Sequence, residues 1–102
     1  MSNISYATPY YIARSPIHGK GVFASRPIKE GEIIGKLNVS PATRNGHHVL
    51  WLTENHKVRV HCPLRYVNHS EDPNAVYYDT LEVVALRDIE KGEEITHDYS
   101  GS

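Results

Sequence analysis

The chain has 102 residues, enough for one domain with one core. A net charge of −1 and a pI near 6.6 argue against direct nucleic-acid binding through phosphate neutralisation. A lone cysteine, Cys62, excludes an internal disulfide and a cysteine zinc cluster, and no apolar run is long enough for a helical membrane span.

The N-terminus has no basic stretch leading into an apolar core, so no secretory signal is expected, and a cytoplasmic, reducing setting is. Beyond it, short segments rich in Val, Ile and Tyr alternate with Gly, Pro and small polar clusters. That rhythm predicts strands over Tyr10–Arg14, Val22–Ser25, Glu32–Leu37, Val49–Leu52, Lys57–Cys62, Ala75–Tyr78 and Leu81–Leu86. In Lys57–Cys62 the alternation puts Val58, Val60 and Cys62 on one face. Asp79-Thr80 reads as a hairpin turn. No long helix is predicted, only a short turn near Pro63–Val67. There is no internal repeat, although Pro27-Ile-Lys-Glu-Gly31 and Asp88-Ile-Glu-Lys-Gly92 are near-copies, each a turn closing on glycine before an apolar strand. Apolar residues make up 39% of the chain, a low share that seven tyrosines and one tryptophan partly offset. The fold class expected is mainly β.

Three stretches carry residues suited to chemistry. The first is His18-Gly-Lys-Gly-Val-Phe-Ala24. Its paired glycines suit close backbone approach to a ligand, or simply a tight turn with two positive-φ positions. No helix follows, so a dinucleotide or phosphate loop is not supported. The second is Arg65-Tyr-Val-Asn-His-Ser-Glu-Asp-Pro-Asn74, in which Asn68 and His69 sit against the apolar anchor Tyr66-Val67. Taken alone, these residues suit turn chemistry or a structural hydrogen-bond network. The third is Gly92-Glu-Glu-Ile-Thr-His-Asp-Tyr99, whose tyrosine alone reads as a core aromatic. The seven histidines are scattered and show no metal-ligand spacing, so no metal site is expected.

Taken in order, GKGVFA, RYVNHSEDPN and GEEITHDY resemble the SET domain, the fold of S-adenosylmethionine-dependent protein-lysine methyltransferases. The resemblance runs from about residue 11 to residue 99, making residues 1–102 a single SET domain. It implies a β-clip of short strands in small sheets with a threaded, pseudoknot-like C-terminal segment. It further implies methyl transfer from S-adenosylmethionine to a lysine amine, leaving S-adenosylhomocysteine. Gly19, Lys20, Gly21, Arg65, Asn68, His69 and Tyr99 would bind the cofactor, with His69 acting mainly through its backbone beside the adenine. Tyr99 would be the catalytic tyrosine, and Tyr66, His97 and His48 would border the substrate channel. The partner would be a protein or peptide lysine, for example on a basic tail drawn to acidic residues such as Glu54, Glu71, Asp72 and Asp79.

The sequence departs from the family pattern at several places. Gly46-His-His-Val-Leu-Trp-Leu52 has His47 or His48 where family members usually carry a tyrosine. His97 stands where an aromatic residue often influences how many methyl groups are added. No cysteine-rich tail precedes Ser102, so a minimal member is expected, its channel completed by a second subunit, as in a homodimer, or by the substrate. The alternative expectation is a SET-fold binding or assembly module with weak or no catalysis.

Overall fold

Short apolar runs cut by Gly and Pro cannot complete a stable helix, but they can pair edge to edge. In the computed structural model, which describes residues 8–41, 49–53, 56–78 and 80–100, they do so almost throughout. The strands are β1 (Tyr10–Arg14), β2 (Lys20–Ala24), β3 (Ile33–Lys36), β4 (Val39–Pro41), β5 (Val49–Thr53), β6 (His56–Val60), β7 (Asn68–His69), β8 (Ala75–Tyr77), β9 (Glu82–Ala85) and β10 (Glu94–His97). Among the described residues the one helical element is a 3₁₀ turn, Pro63–Tyr66, opened by its proline. Among the described residues no helix is long and apolar enough to cross a membrane.

Three small sheets result, with strand orders β1-β2-β10-β7, β3-β9-β8 and β4-β6-β5. The β1–β2 hairpin pairs Tyr11 with Phe23, and their rings stack at 5.7 Å. Alternation along β2 turns Val22 and Ala24 inward, both fully buried. Ile28, Ile34, Leu64, Val83, Ile89 and Ile95 complete the centre of the core. The last strand, β10, lies between β2 and β7, pairing antiparallel with the first and parallel with the second. This is the threaded C-terminal segment of the expected fold.

The expected strands all form, with ends shifted by one or two residues. Val58 and Val60 are buried as expected, while β6 stops at Val60 and Cys62 leads into the 3₁₀ turn. Three strands were not expected. Pro41 disguises β4, yet β4 is a sheet edge, where a missing N–H is tolerated. β7 is two residues long, and β10 is stabilised by partners distant in sequence, which no local pattern announces. Asp79 of the expected turn lies outside the described residues. Beside it Leu81 N donates to Tyr78 O and Tyr78 N to Glu82 O, at 2.8 and 2.9 Å.

The two near-copied turns are more than separate turns, because they pair with each other. Ile28 and Ile89 exchange both backbone hydrogen bonds at 2.8 Å as an antiparallel bridge. Each flank repeats the other's contacts. Gly31 N donates to Ala85 O at 2.8 Å and Gly92 N to Ala24 O at 2.7 Å. Lys29 N donates to the Glu32 carboxylate and Glu90 N to that of Glu93, both at 3.0 Å. Arg26 bonds Glu32, and Arg87 bonds Glu93. The symmetry breaks where Asp88 takes the place that Pro27 has in the other turn: Asp88 Oδ1 accepts Glu30 N at 2.8 Å, and proline has no equivalent acceptor. This local two-fold device fixes the entry of β3 and of β10, and therefore the position of the C-terminal segment.

Candidate functional site

The parallel pairing of β7 with β10 sets Asn68 beside Thr96 and His69 beside His97. Side chains alternate along strands. Asn68 and Glu94 accordingly meet near the glycine turn, while His69 and His97 lie with the tyrosines.

On the glycine side, Gly19 has φ +45°, a left-handed conformation that closes the turn. Ser15 N donates to Gly19 O at 2.7 Å. Gly21 is not a positive-φ position, which corrects half of the turn reading; it is glycine because of a close approach. A Cβ there would lie 2.3 Å from Glu94 Oε2 and 2.9 Å from Ser15 Cβ. Ser15 Oγ donates to the Glu94 carboxylate at 2.8–2.9 Å. Asn68 Nδ2 lies 3.1 Å from His18 O, 3.1 Å from Lys20 O and 2.9 Å from Glu94 Oε2. The nitrogen end of Asn68 is thus committed within the protein, and its carbonyl oxygen is the group it can offer a ligand. Lys20 Nζ sits 5.3 Å over the Tyr66 ring, and the Arg65 guanidinium 4.4 Å from it. Arg65 also donates to the Tyr66 hydroxyl and to His61 O, both at 2.9 Å.

On the other side, His97 stacks on Tyr77 at 4.4 Å and meets Tyr99 edge-on at 4.7 Å. The Tyr99 hydroxyl donates to Val67 O at 2.8 Å and lies 2.9 Å from the Tyr77 hydroxyl, which reaches Leu64 O at 3.2 Å. Two phenolic protons serve three contacts, so one contact is always short of a proton. Burial pushes the Tyr99 hydroxyl up to about 12, with the Tyr77 hydrogen bond pulling the other way. Burial raises Tyr77 further, with Tyr99 adding to the shift. Both are therefore protonated at neutral pH, although 41% of the Tyr99 surface remains exposed. Burial also holds His97 below the ordinary imidazole value, with the Ala75 backbone opposing. Its Nδ1 is buried without a hydrogen-bond partner. His69 Nδ1 accepts Tyr99 N at 3.1 Å, which assigns the neutral ring's proton to Nε2.

The structure thus gathers Gly19, Lys20, Gly21 and Asn68 at one edge, with Arg65 and Tyr66 adjoining through Lys20. It gathers His69, His97 and Tyr99 at another. His48 lies outside the described residues, as do Glu54 and Asp79. Three functional positions escaped the sequence reading. Ser15 and Glu94 hold the glycine turn. Asn74, only 2% exposed, clamps β10: its Nδ2 donates to Glu94 O at 2.8 Å and its Oδ1 accepts Thr96 N at 2.9 Å. Asn74 closes the second motif and read as turn chemistry there. Among the described residues no group of His, Cys, Asp and Glu is arranged to hold a metal.

A small-sheet β fold with its last strand inserted between a glycine turn and an Asn-His segment defines a class of domain. The SET domain family model matches residues 19–100, and the chain belongs to that family. It is 28% identical to histone-lysine N-methyltransferase 2D of Homo sapiens and of Mus musculus, over 87% of this chain. It is 29% identical to histone-lysine N-methyltransferase trithorax of Drosophila virilis over 86% of the chain. The chain spans only 2–3% of the length of these relatives. A crystal structure of a Plasmodium falciparum protein described as a candidate histone methyltransferase superposes with a TM-score of 0.72 at 26% identity, covering 94% of this chain and 96% of that one.

Proposed function

We propose that the protein is a lysine N-methyltransferase that transfers a methyl group from S-adenosylmethionine to a side-chain amine of a protein or peptide. The observation that carries this reading is the β7–β10 pair, which joins a ligand-sized polar edge to an enclosed tyrosine hydroxyl. The relatives named as histone-lysine methyltransferases support it.

The residues at the edge fit such a cofactor. A groove of about 730 Å³ borders the turn on the β1 side; Gly19 and Lys20 line it together with Ile12, Ala13, Arg14 and Ser15, whereas Arg65, Asn68 and His69 do not. Space beside Gly19 is open, since a Cβ there would meet nothing within 4 Å. Lys20 and Arg65 supply positive charge for a carboxylate, and Asn68 Oδ1 supplies an acceptor for an ammonium. His69 contributes mainly backbone groups. When bound, S-adenosylmethionine supplies the electrophilic methyl group.

The chain's own residues align and enclose. An ammonium has no lone pair, so the substrate amine must arrive neutral; desolvation beside the His97, Tyr77 and Tyr99 rings would favour that form. The Tyr99 hydroxyl, pushed up to about 12, keeps its proton at neutral pH. It therefore orients the reacting groups and does not act as the base. Exposed Glu71 and Asp72, just after the Asn-His-Ser segment, favour a basic peptide.

Calorimetry with S-adenosylhomocysteine, followed by methylation of a lysine peptide array, tests the proposal. Saturation at a hundredfold over the dissociation constant would stabilise the fold by about 2.7 kcal/mol, a melting shift of roughly 10 °C or more. Binding with lysine methylation is the expected result. Binding without methylation, or neither, would overturn the transferase reading and favour the binding-module alternative.

A further inference from the structure

Glu94 begins β10 opposite Phe23 of β2, and its carboxylate fills the space that a side chain at position 21 would take. Both its oxygens accept the Ser15 hydroxyl at 2.8–2.9 Å, and Oε2 also accepts Asn68 Nδ2 at 2.9 Å. Each of these partners is bonded in turn to the glycine loop. Ser15 Oγ accepts Ile17 N at 2.9 Å and His18 N at 3.4 Å. Asn68 Nδ2 reaches His18 O and Lys20 O, both at 3.1 Å. The bonds close a ring that runs from Glu94 through Ser15, the loop and Asn68 back to Glu94. The ring joins the end of β1, the loop, β7 and β10.

A carboxylate suits the donors that meet at this centre. Ser15 Oγ already accepts two backbone N–H groups, so its own proton must go outward to an acceptor. Asn68 presents only N–H groups on this side. A carboxylate accepts from both, whereas an amide would turn an NH₂ group toward one of these donors.

We propose that Glu94 is a positioning residue: its carboxylate sets the shape of the Ser15–Lys20 loop and the orientation of Asn68, so that loop and strand present one ligand-binding edge. The identity of the ligand rests on the methyl-transfer reading, whereas the hold on the loop does not.

Hydrogen exchange of the whole chain, with and without S-adenosylhomocysteine, tests this. Glu94→Gln should speed exchange at the Ile17 and His18 amides by about tenfold or more and weaken S-adenosylhomocysteine binding by about ten- to a hundredfold. The Ile28 and Ile89 amides should be unaffected. Ser15→Ala, which leaves the charge in place, should give the same local signature and covers the case in which Glu94→Gln fails to fold. Glu93→Gln removes the neighbouring carboxylate from Arg87 and should leave Ile17 and His18 unchanged. Unchanged exchange at Ile17 and His18 in both Glu94→Gln and Ser15→Ala would overturn the hold on the loop. Faster exchange with wild-type ligand affinity would overturn the link to binding. A wild type that binds no S-adenosylhomocysteine would defeat the methyl-transfer reading, while the exchange rates would still decide the role of Glu94.

Discussion

The two faces of the β7–β10 pair are built on opposite principles. Toward the glycine turn, Glu94, Ser15 and Asn68 satisfy one another and the loop backbone, and the space between them is filled. Toward the tyrosines, two hydroxyls meet each other and the carbonyls of Val67 and Leu64, and His97 Nδ1 has no partner. Buried polar groups are normally paired, and leaving one unpaired costs free energy. The saturated face therefore holds shape. On the proposed function, the unsaturated face is where a hydrogen bond remains to be gained when a substrate arrives.

Both faces depend on β10 staying in place, and Asn74 is its clamp. Asn74→Ala would leave the Thr96 amide and the Glu94 carbonyl without their partner, a loss of about 3 kcal/mol. Urea denaturation should show a lower midpoint with an unchanged slope. A change below about 0.5 kcal/mol would mean that β10 is held by its strand partners alone.

Gly21→Ala attacks the saturated face specifically. The added methyl would displace the Glu94 carboxylate or press on Ser15 Cβ, costing about 2 kcal/mol. It should also weaken cofactor binding as Glu94→Gln does. Wild-type stability and binding would show that the carboxylate moves freely and that this face is not saturated.

His97→Phe attacks the other face, with the smallest effect. The folded protein holds His97 neutral below the ordinary imidazole value of 6.5. As pH falls below that value, the unfolded chain takes up a proton that the folded chain resists, and stability is lost. Phenylalanine removes the titrating ring and with it the unpaired nitrogen. The variant should gain up to about 1 kcal/mol at neutral pH and show a flatter thermal stability profile between about pH 6.5 and pH 5. An unchanged slope would mean that burial does not hold His97 below the ordinary imidazole value.

The sequence made one face more readable than the other, for a physical reason. Strands such as β1 and β9 declare themselves by local apolar pattern, and the glycine turn by composition. The family resemblance pointed to Asn68 and Tyr99. No local signal marked Glu94 as a hub, because its partners Ser15 and Asn68 are far along the chain and meet it only after β10 is threaded. Asn74 looked like the end of a turn, and its burial is a tertiary fact. Tyr77 read as one of several strand aromatics, and only the fold brings its hydroxyl to that of Tyr99. Pro41 hides β4, because nothing in the sequence says that β4 is an edge.

Tyr99→Phe tests the central claim most directly. The substitution keeps the ring against His97 and removes the hydroxyl that meets Val67 and Tyr77. A purely structural tyrosine would lose about 1 kcal/mol of hydrogen bonding and leave turnover untouched. An aligning tyrosine would lose turnover by about a hundredfold or more with near-constant cofactor affinity. The measurement is single-turnover methyl transfer to a lysine peptide that the wild type accepts, alongside calorimetry with S-adenosylhomocysteine. The account predicts intact binding and a collapsed transfer rate; an unchanged rate would contradict it and leave Tyr99 as packing.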